Sequence, residues 1–182
     1  MVEPSTAYDA KGLLKAAIRD DDPVLYFEHK FLYRRIKDEV PDEDYVVPLG
    51  KAAVRRTGGD LTIITFGAMV YTALEAARTL AEQGVEVEVI DLRSLAPLDR
   101  DAILESVAKT SRVLLLHEAT LTGGIGGELA AIISEHAFVY LEAAVTRIAS
   151  LDAPVPYAPP LETAFLPTVT RVVEAAKKLV EY

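Results

Sequence analysis

The sequence predicts an α/β protein in which helices cover both faces of a mostly parallel β-sheet. Short segments rich in β-branched and other apolar residues alternate with longer segments of helical periodicity along most of the 182 residues. Residues 112–116 are almost entirely apolar, as expected for a strand that helices cover on both sides. The chain is 51% hydrophobic and contains no cysteine, so a packed core must stabilise the fold without disulfides.

The first predicted unit is a helix followed by a strand. The helix begins after candidate N-caps at residues 5–9 and ends at the acidic run 20–22, just before Pro23. Residues 24–27 are apolar and predict a buried strand. We expect residues 1–33 to form a small αβ unit of their own.

A linker follows this unit. Residues 34–48 are highly charged, contain Pro41 and show little apolar periodicity, which is typical of a segment that crosses the surface. The predicted domain boundary therefore lies here, and residues 49–182 form the main domain.

Strands and helices alternate regularly in this main domain. Gly84 stands where a left-handed helix C-cap is needed, and Asp99 is a candidate N-cap. The predicted strands are residues 61–66, 85–92, 112–116 and 145–148. The predicted helices begin at Gly67, Asp99, the glycine cluster 123–127 and Thr168, and end near Gln83, Lys109, His136 and Leu179. This pattern predicts a three-layer α/β/α domain.

Composition excludes several classes of function. The chain has 28 acidic and 19 basic residues, a net charge of −9, and no basic cluster longer than two residues, so we expect no nucleic-acid binding. No apolar run approaches the roughly 20 residues that span a bilayer, and the first residues do not resemble a secretory signal. The expected compartment is the cytoplasm, and no membrane partner is expected.

The glycine cluster Gly123 to Gly127 has two interpretations. It precedes a helix, where free backbone amides and the helix dipole can hold a phosphate. Its spacing, however, differs from that of dinucleotide-binding and P-loop motifs. Close packing of a helix is the favoured interpretation, and a free-standing nucleotide- or anion-binding module is the alternative.

Two further groups of polar residues each have two interpretations, namely His117 with Glu118 and the acidic run 20–22. His117 and Glu118 lie at a strand end, where a histidine can act as a general acid or base. Because the spacing places no second catalytic group beside them, a structural or interface role is favoured. His29 and His136 are isolated and do not predict a metal site. The acidic run 20–22 is either a solvated turn or a cation site, since acidic side chains are unfavourable at a helix C-terminus. No catalytic or cofactor-binding residue is assigned.

Six segments of the chain carry a resemblance to a known family, namely residues 4–20, 22–30, 62–67, 89–99, 117–124 and 166–170. In sequence and in order they resemble the β subunit of thiamine-diphosphate-dependent 2-oxo acid dehydrogenases. The N-terminal unit is similar to the end of the pyrimidine-binding domain of that subunit, and the main domain is similar to its transketolase-like C-terminal domain. Within the family, the stretch His117-Glu118-Ala119 and the tail 167–170 are most similar to the branched-chain 2-oxo acid enzymes, and pyruvate and acetoin dehydrogenases are the alternatives.

The resemblance implies a partial subunit. Family β subunits are nearly twice as long, and their first half supplies the glutamate that activates thiamine diphosphate and a histidine near the reacting carbon. The diphosphate and Mg²⁺ site resembles a feature of the α subunit. Thiamine diphosphate and magnesium are therefore expected in the complete enzyme only, and this chain is expected to be truncated and not catalytic alone.

The resemblance also implies an ion site and partners. A structural potassium site matches the main-chain carbonyls of Ala17 and Ile18 and the side chains of Asp20 and Asp22. The implied partners are an α subunit, a second β subunit and the peripheral-subunit-binding domain of the acyltransferase core. The acidic charge of the chain suits a basic partner.

Overall fold

A five-stranded sheet organises the structure, a computed structural model that describes residues 1–182. Its strands are β1 (Ala53–Arg56), β2 (Leu61–Thr65), β3 (Val87–Asp91), β4 (Val113–Thr120) and β5 (Thr146–Ser150). The helices are α1 (Ala7–Arg19), α2 (Met69–Ala81), α3 (Arg100–Thr110), α4 (Gly126–His136), α5 (Pro159–Phe165) and α6 (Val169–Val180). Short 3₁₀ turns cover Lys30–Arg34 and Phe138–Tyr140.

The sheet is mostly parallel, with the strand order β1-β3-β2-β4-β5. Strands β2, β3, β4 and β5 run parallel to their neighbours, while β1 pairs antiparallel with β3 at one edge. Every residue of β2 and β3 is buried. These strands need apolar side chains on both faces because helices cover both, which confirms the predicted fold class.

Two apolar layers lie on opposite faces of the sheet. One face packs against α2 and α6, with Ala73, Leu80 and Val172 at its centre. The other packs against α3 and α4 and includes Ile103 and Leu129. The result is the three-layer α/β/α arrangement that the sequence predicts.

The N-terminal unit only partly follows its prediction. Helix α1 begins at Thr6, whose hydroxyl accepts from the Asp9 amide, and ends at the C-cap Asp20. The predicted buried strand 24–27 is wrong. Tyr26 forms only an isolated bridge with Val2, and the side chains of Leu25 and Phe27 are 60% and 47% exposed. The segment is extended but has too few neighbours to become a strand in a sheet.

The segment predicted as a linker packs back onto α1. Val47 is buried with Val2 and Leu13, and the ring of Tyr45 stacks on Tyr8 with centroids 4.4 Å apart. A Cβ on Gly12 would meet the Val47 side chain, so this contact requires glycine. The segment contains no helix or strand between Arg35 and Ala52, and the boundaries 1–33, 34–48 and 49–182 stay predictions.

Two elements were absent from the prediction. Strand β1 carries two arginines in four residues and lies at the sheet edge, so its apolar pattern is weak. Helix α5 begins with two prolines inside a proline-rich stretch, a composition that predicts a loop but is tolerated in a first helical turn. No helix of the structure has the length and apolar character needed to cross a bilayer.

Candidate functional site

The junction between the N-terminal unit and the main domain brings together polar residues that are distant in sequence. Strand β4 continues beyond its predicted end, so that both His117 and Glu118 belong to it. Alternation along the strand buries His117 and leaves Glu118 at the surface. Glu118 Oε2 then lies 2.8 Å from Nε2 of His29, a residue of the other unit.

Electrostatics favour a charged His29. The hydrogen bond to Glu118 raises the pKa of His29 above its ordinary value, although burial opposes this shift. Glu3 adds a second negative charge nearby, and burial raises the pKa of Glu3 in turn. The three side chains form a partly exposed acid–base cluster across the junction.

A cleft of about 650 Å³ opens beside this cluster. It separates the 3₁₀ turn after His29 from the start of α2 and from the segment before α6. Arg35 lies over the ring of Phe31 at 3.8 Å in its wall, while Glu75 and Glu162 add acidic groups. His29 can exchange a proton here, but its Nε2 is already engaged by Glu118, and no further group is aligned with it as a nucleophile.

A buried ion network lies behind the cluster. Arg55 of β1 contacts both Asp9 of α1 and Asp91 of β3, with its Nε 3.0 Å from Asp91 Oδ2. Arg93 reaches Asp9 Oδ1 at 2.9 Å, and the Ser5 hydroxyl donates to Asp91 Oδ2 at 2.5 Å. This network joins α1 to the sheet.

Burial and pairing act against each other in this network. Burial pushes the pKa of Asp9 upwards, but Arg55 and Arg93 together hold it below its ordinary value. Burial dominates at Asp91 and raises its pKa despite Arg55. Burial lowers the pKa of Arg55, but the same two carboxylates more than offset it and raise the pKa above its ordinary value. All four groups are satisfied within the protein, which indicates a structural role.

The glycine cluster encloses a histidine. A Cβ on Gly126 would lie 2.6 Å from His117 Nε2, and a Cβ on Gly124 would also collide with the imidazole. Burial lowers the pKa of His117, whose Nδ1 lies 3.1 Å from the Ala119 carbonyl oxygen. The glycines therefore let α4 begin directly against β4, which supports the packing interpretation.

The surroundings of the glycine cluster are not those of an anion site. Asp152 accepts from the amide and the hydroxyl of Thr122, at 2.9 and 2.7 Å, and so places a carboxylate beside the loop. The nearest guanidinium, that of Arg147, is directed at the Leu121 carbonyl at 3.3 Å. Nothing in this arrangement favours a bound phosphate over close packing.

The residues of the expected potassium site lie at and just after the end of α1. The carbonyls of Ala17 and Ile18 belong to the last helical turn, where main-chain oxygens have no intrahelical partner. Asp20 and Asp22 are exposed, and Asp20 Oδ1 accepts from the Asp22 amide at 2.9 Å. The structure has no group of three or more His, Cys, Asp or Glu arranged for a metal ion, so this oxygen set stays a prediction.

Sequence reasoning missed the junction. Asp91 ends a mostly apolar strand, and a charged residue in such a strand is the signal that a buried ion pair gives. Asp9 and Arg55 lie in elements that carry other charged residues, so neither gives that signal. Their mutual contacts, and that of His29 with Glu118 across 89 positions, depend on the tertiary fold.

Comparisons with known proteins agree with this architecture. A family model described as "Transketolase, C-terminal domain" matches residues 50–172. The whole chain is 52% identical to the 2-oxoisovalerate dehydrogenase subunit beta of Bacillus subtilis (strain 168) and 48% identical to the pyruvate dehydrogenase E1 component subunit beta of the same organism. An acetoin:2,6-dichlorophenolindophenol oxidoreductase subunit beta from that organism is 47% identical over 98% of the chain.

The match covers only part of these relatives. The chain spans 56% of the length of the first two and 52% of the third. A solved split-gene transketolase, described as an inactive β4 tetramer, superposes with a TM-score of 0.80 at 29% sequence identity. The superposition covers 99% of this chain and 56% of the transketolase chain. Transketolase of Pichia stipitis, at 16% identity and a TM-score of 0.63, shares the fold.

Proposed function

The chain belongs to the family of transketolase C-terminal domains, and on that premise we propose that it is the C-terminal part of the β subunit of a thiamine-diphosphate-dependent 2-oxo acid dehydrogenase. The complete enzyme would decarboxylate a 2-oxo acid oxidatively and transfer the acyl group to a lipoyl group. The observation that carries the proposal is the identity of 44–52% to such β subunits over the whole chain, including the N-terminal unit outside the family match.

The role proposed for this part is assembly and not chemistry. His117 is enclosed by glycines, His29 is paired with Glu118, and the buried carboxylates are neutralised by arginines. The donor groups of this chain do not fit a metal-bound diphosphate, since no cluster of carboxylates or histidines is arranged to hold the ion. Thiamine diphosphate and magnesium therefore belong, in this proposal, to the complete enzyme.

The proposed partners are an α subunit, a second β subunit and the peripheral-subunit-binding domain of the acyltransferase core. Large apolar side chains that are mostly exposed support such contacts, among them Phe138, Val139 and Tyr157. A groove of about 930 Å³ also runs beside the edge strand β5. The net charge of −9 favours a basic partner through complementary fields. A cysteine-free chain suits a reducing compartment, and we propose the cytoplasm.

The oxygen set at the end of α1 is proposed to bind potassium. The Ala17 and Ile18 carbonyls and the Asp20 and Asp22 carboxylates are hard ligands, which alkali and alkaline-earth cations prefer. Binding to the folded state alone raises its stability, so Tm should be higher in potassium chloride than in an equal concentration of choline chloride. Asp22→Ala should remove this difference. An equal response of Asp22→Ala and the unaltered protein would contradict the site.

Turnover tests the proposed function. Decarboxylation of a branched-chain 2-oxo acid and of pyruvate is measured with thiamine diphosphate, Mg²⁺ and an artificial electron acceptor. The chain is assayed alone, and then with a cognate α subunit and the remaining part of a β subunit. We expect no turnover alone and turnover on mixing, with the faster substrate showing the specificity. Turnover by the chain alone would overturn the assembly role.

A further inference from the structure

The cleft beside His29 lies where the connections of the sheet diverge. Strands β2 and β4 are neighbours, but the chain leaves β2 through α2 towards β3 and leaves β4 through α4 towards β5. These two helices cover opposite faces of the sheet. Such a divergence opens a crevice at the carboxyl ends of the two strands, where α/β proteins usually bind their ligands. Ala68, just after β2, and Glu118, near the end of β4, both line the cleft, which places it at this crevice.

Much of the wall of this cleft is apolar. Met69 of α2 contributes to it, together with Leu166 and Pro167 from the segment before α6. Leu32 and Ile36 come from the other side of the cleft. The cleft volume of about 650 Å³ lies within the range of roughly 300–1,000 Å³ that is typical of small-molecule sites. The cleft therefore suits a small ligand with an apolar part.

The same cleft contains charged groups that have no partner. The guanidinium of Arg35 lies over the Phe31 ring, with its Cζ 3.8 Å from the ring centroid, and forms neither an ion pair nor a hydrogen bond. Glu75 and Glu162 also line the cleft, and their carboxylates accept no hydrogen bond and lie more than 4.0 Å from every cation. Charges of both signs thus share one cleft without pairing with each other.

Unpaired charges of both signs beside an apolar wall match a zwitterion with an apolar side chain. A carboxylate can accept two parallel hydrogen bonds from the guanidinium of Arg35, whose stacking on Phe31 restricts its orientation. An ammonium group can donate to the carboxylate of Glu75 or Glu162. A ligand that has only a carboxylate would meet these two acidic side chains without any compensating charge.

We propose that this cleft binds an α-amino acid with an apolar side chain. Its carboxylate pairs with Arg35, its ammonium group with Glu75 or Glu162, and its side chain contacts the apolar wall. His29 and Glu118 take no part, since they already pair with each other at 2.8 Å. The inference goes beyond the proposed function and does not depend on it, because the chain alone contains every group that the site needs.

Isothermal titration calorimetry of the chain alone tests the site with four probes. L-leucine has all three groups and should bind with a Kd of about 1 mM or lower. The 2-oxo acid with the carbon skeleton of leucine lacks the ammonium group, isopentylamine lacks the carboxylate, and glycine lacks the side chain. Each of these three compounds should bind more weakly than leucine by about tenfold or more.

Two variants locate the contacts, and each has a matched control. Arg35→Met removes the guanidinium, and the double variant Glu75→Gln with Glu162→Gln removes both carboxylates. Each should weaken leucine binding by about tenfold or more. Arg34→Met, at the neighbouring position but outside the cleft, and Glu105→Gln, on α3, should bind as the unaltered chain does. All of these side chains are exposed, so the fold tolerates the substitutions.

The other outcomes would overturn the proposal. The site is wrong if leucine does not bind, or if the 2-oxo acid or the amine binds as tightly as leucine. Normal binding by Arg35→Met or by the double carboxylate variant would remove the assigned contacts. Equal losses in Arg34→Met and Arg35→Met would show a general effect of charge and not a site in the cleft.

Discussion

The ion pairs that join the two units differ in the solvent exposure of their side chains. Asp9 and Asp91 are fully buried and depend on Arg55 and Arg93 for compensation. His29 and Glu118 remain partly exposed, so water screens their attraction. A buried carboxylate that loses its partner keeps its desolvation cost, and the two kinds of pair should therefore respond very differently to substitution.

Arg55→Met tests the buried network. The substitution leaves Asp9 and Asp91 without their shared cation, and we expect a loss of about 3–5 kcal/mol in the free energy of unfolding. Arg56→Met, the neighbouring residue whose partner Glu86 is largely exposed, should lose only about 1 kcal/mol. Urea denaturation measures both. Equal losses for the two variants would show that the network contributes no more than a surface pair.

The His29–Glu118 pair should give stability that depends on pH. The pKa of His29 is raised in the folded protein from an ordinary value of 6.5, so the pair stabilises the fold fully below that value. This contribution is lost as pH rises through the folded pKa. Glu118→Gln should therefore lower stability at pH 5.5, by less than about 1 kcal/mol, and have little effect at pH 8.5.

Thermal unfolding across this pH range measures the effect, and the chemical shift of the His29 ring reports its pKa directly. Glu105→Gln, at an exposed position of α3 without an ion pair, is the control. Glu3 also faces His29 and will retain part of the shift in the variant. An unchanged His29 titration in Glu118→Gln would exclude Glu118 as the cause.

Helix ends could be predicted from the sequence because they depend on local chemistry. Thr6, Asp99 and Thr168 cap α1, α3 and α6 through their own side chains, and Gly84 adopts the left-handed conformation expected of it. Strand pairing depends on residues far apart in sequence. The segment 24–27 has the composition of a strand but lacks neighbours, so composition alone gave the wrong result there.

The individual residues of the candidate site could be identified from the sequence, but their contacts with one another could not. His29 and Glu118 could each be noted at a strand end, but their contact depends on how the N-terminal unit lies against β4. The start of α4 is the opposite case, since the glycines predict close packing before the partner is known. The structure supplies that partner as His117.

Gly126→Ala tests this packing. The new Cβ would lie 2.6 Å from His117 Nε2 and 2.8 Å from its Cδ2, which is too close, so the imidazole must shift within a buried site. We expect a loss of about 1–3 kcal/mol. Gly127→Ala, with no side-chain atom nearer than 3.7 Å, should gain up to about 1 kcal/mol from helix propensity. Differential scanning calorimetry distinguishes the two, and equal stabilities would contradict the close fit.

At the scale of the whole molecule, the surface proposed for partners lies in the main domain. The groove beside β5 belongs to it, as do the exposed Phe138, Val139 and Tyr157.

The chain should self-associate through the main domain. Burial of large exposed apolar side chains favours association, and Val139→Asp should weaken it by about tenfold or more in its dissociation constant. Leu25→Asp should leave it unchanged. Sedimentation velocity over a range of concentrations provides the measurement. A compact monomer at every concentration would contradict this surface.

The buried ion network also restricts how such proteins can recombine. A crossover within residues 36–48 would interrupt no helix or strand. The resulting chimera would nevertheless take Asp9 from one parent protein, and it would take Arg55, Asp91 and Arg93 from the other. If the parent proteins differ at any of these positions, the chimera would contain a buried charge without its partner. Viable chimeras should therefore transmit the four residues as a linked set.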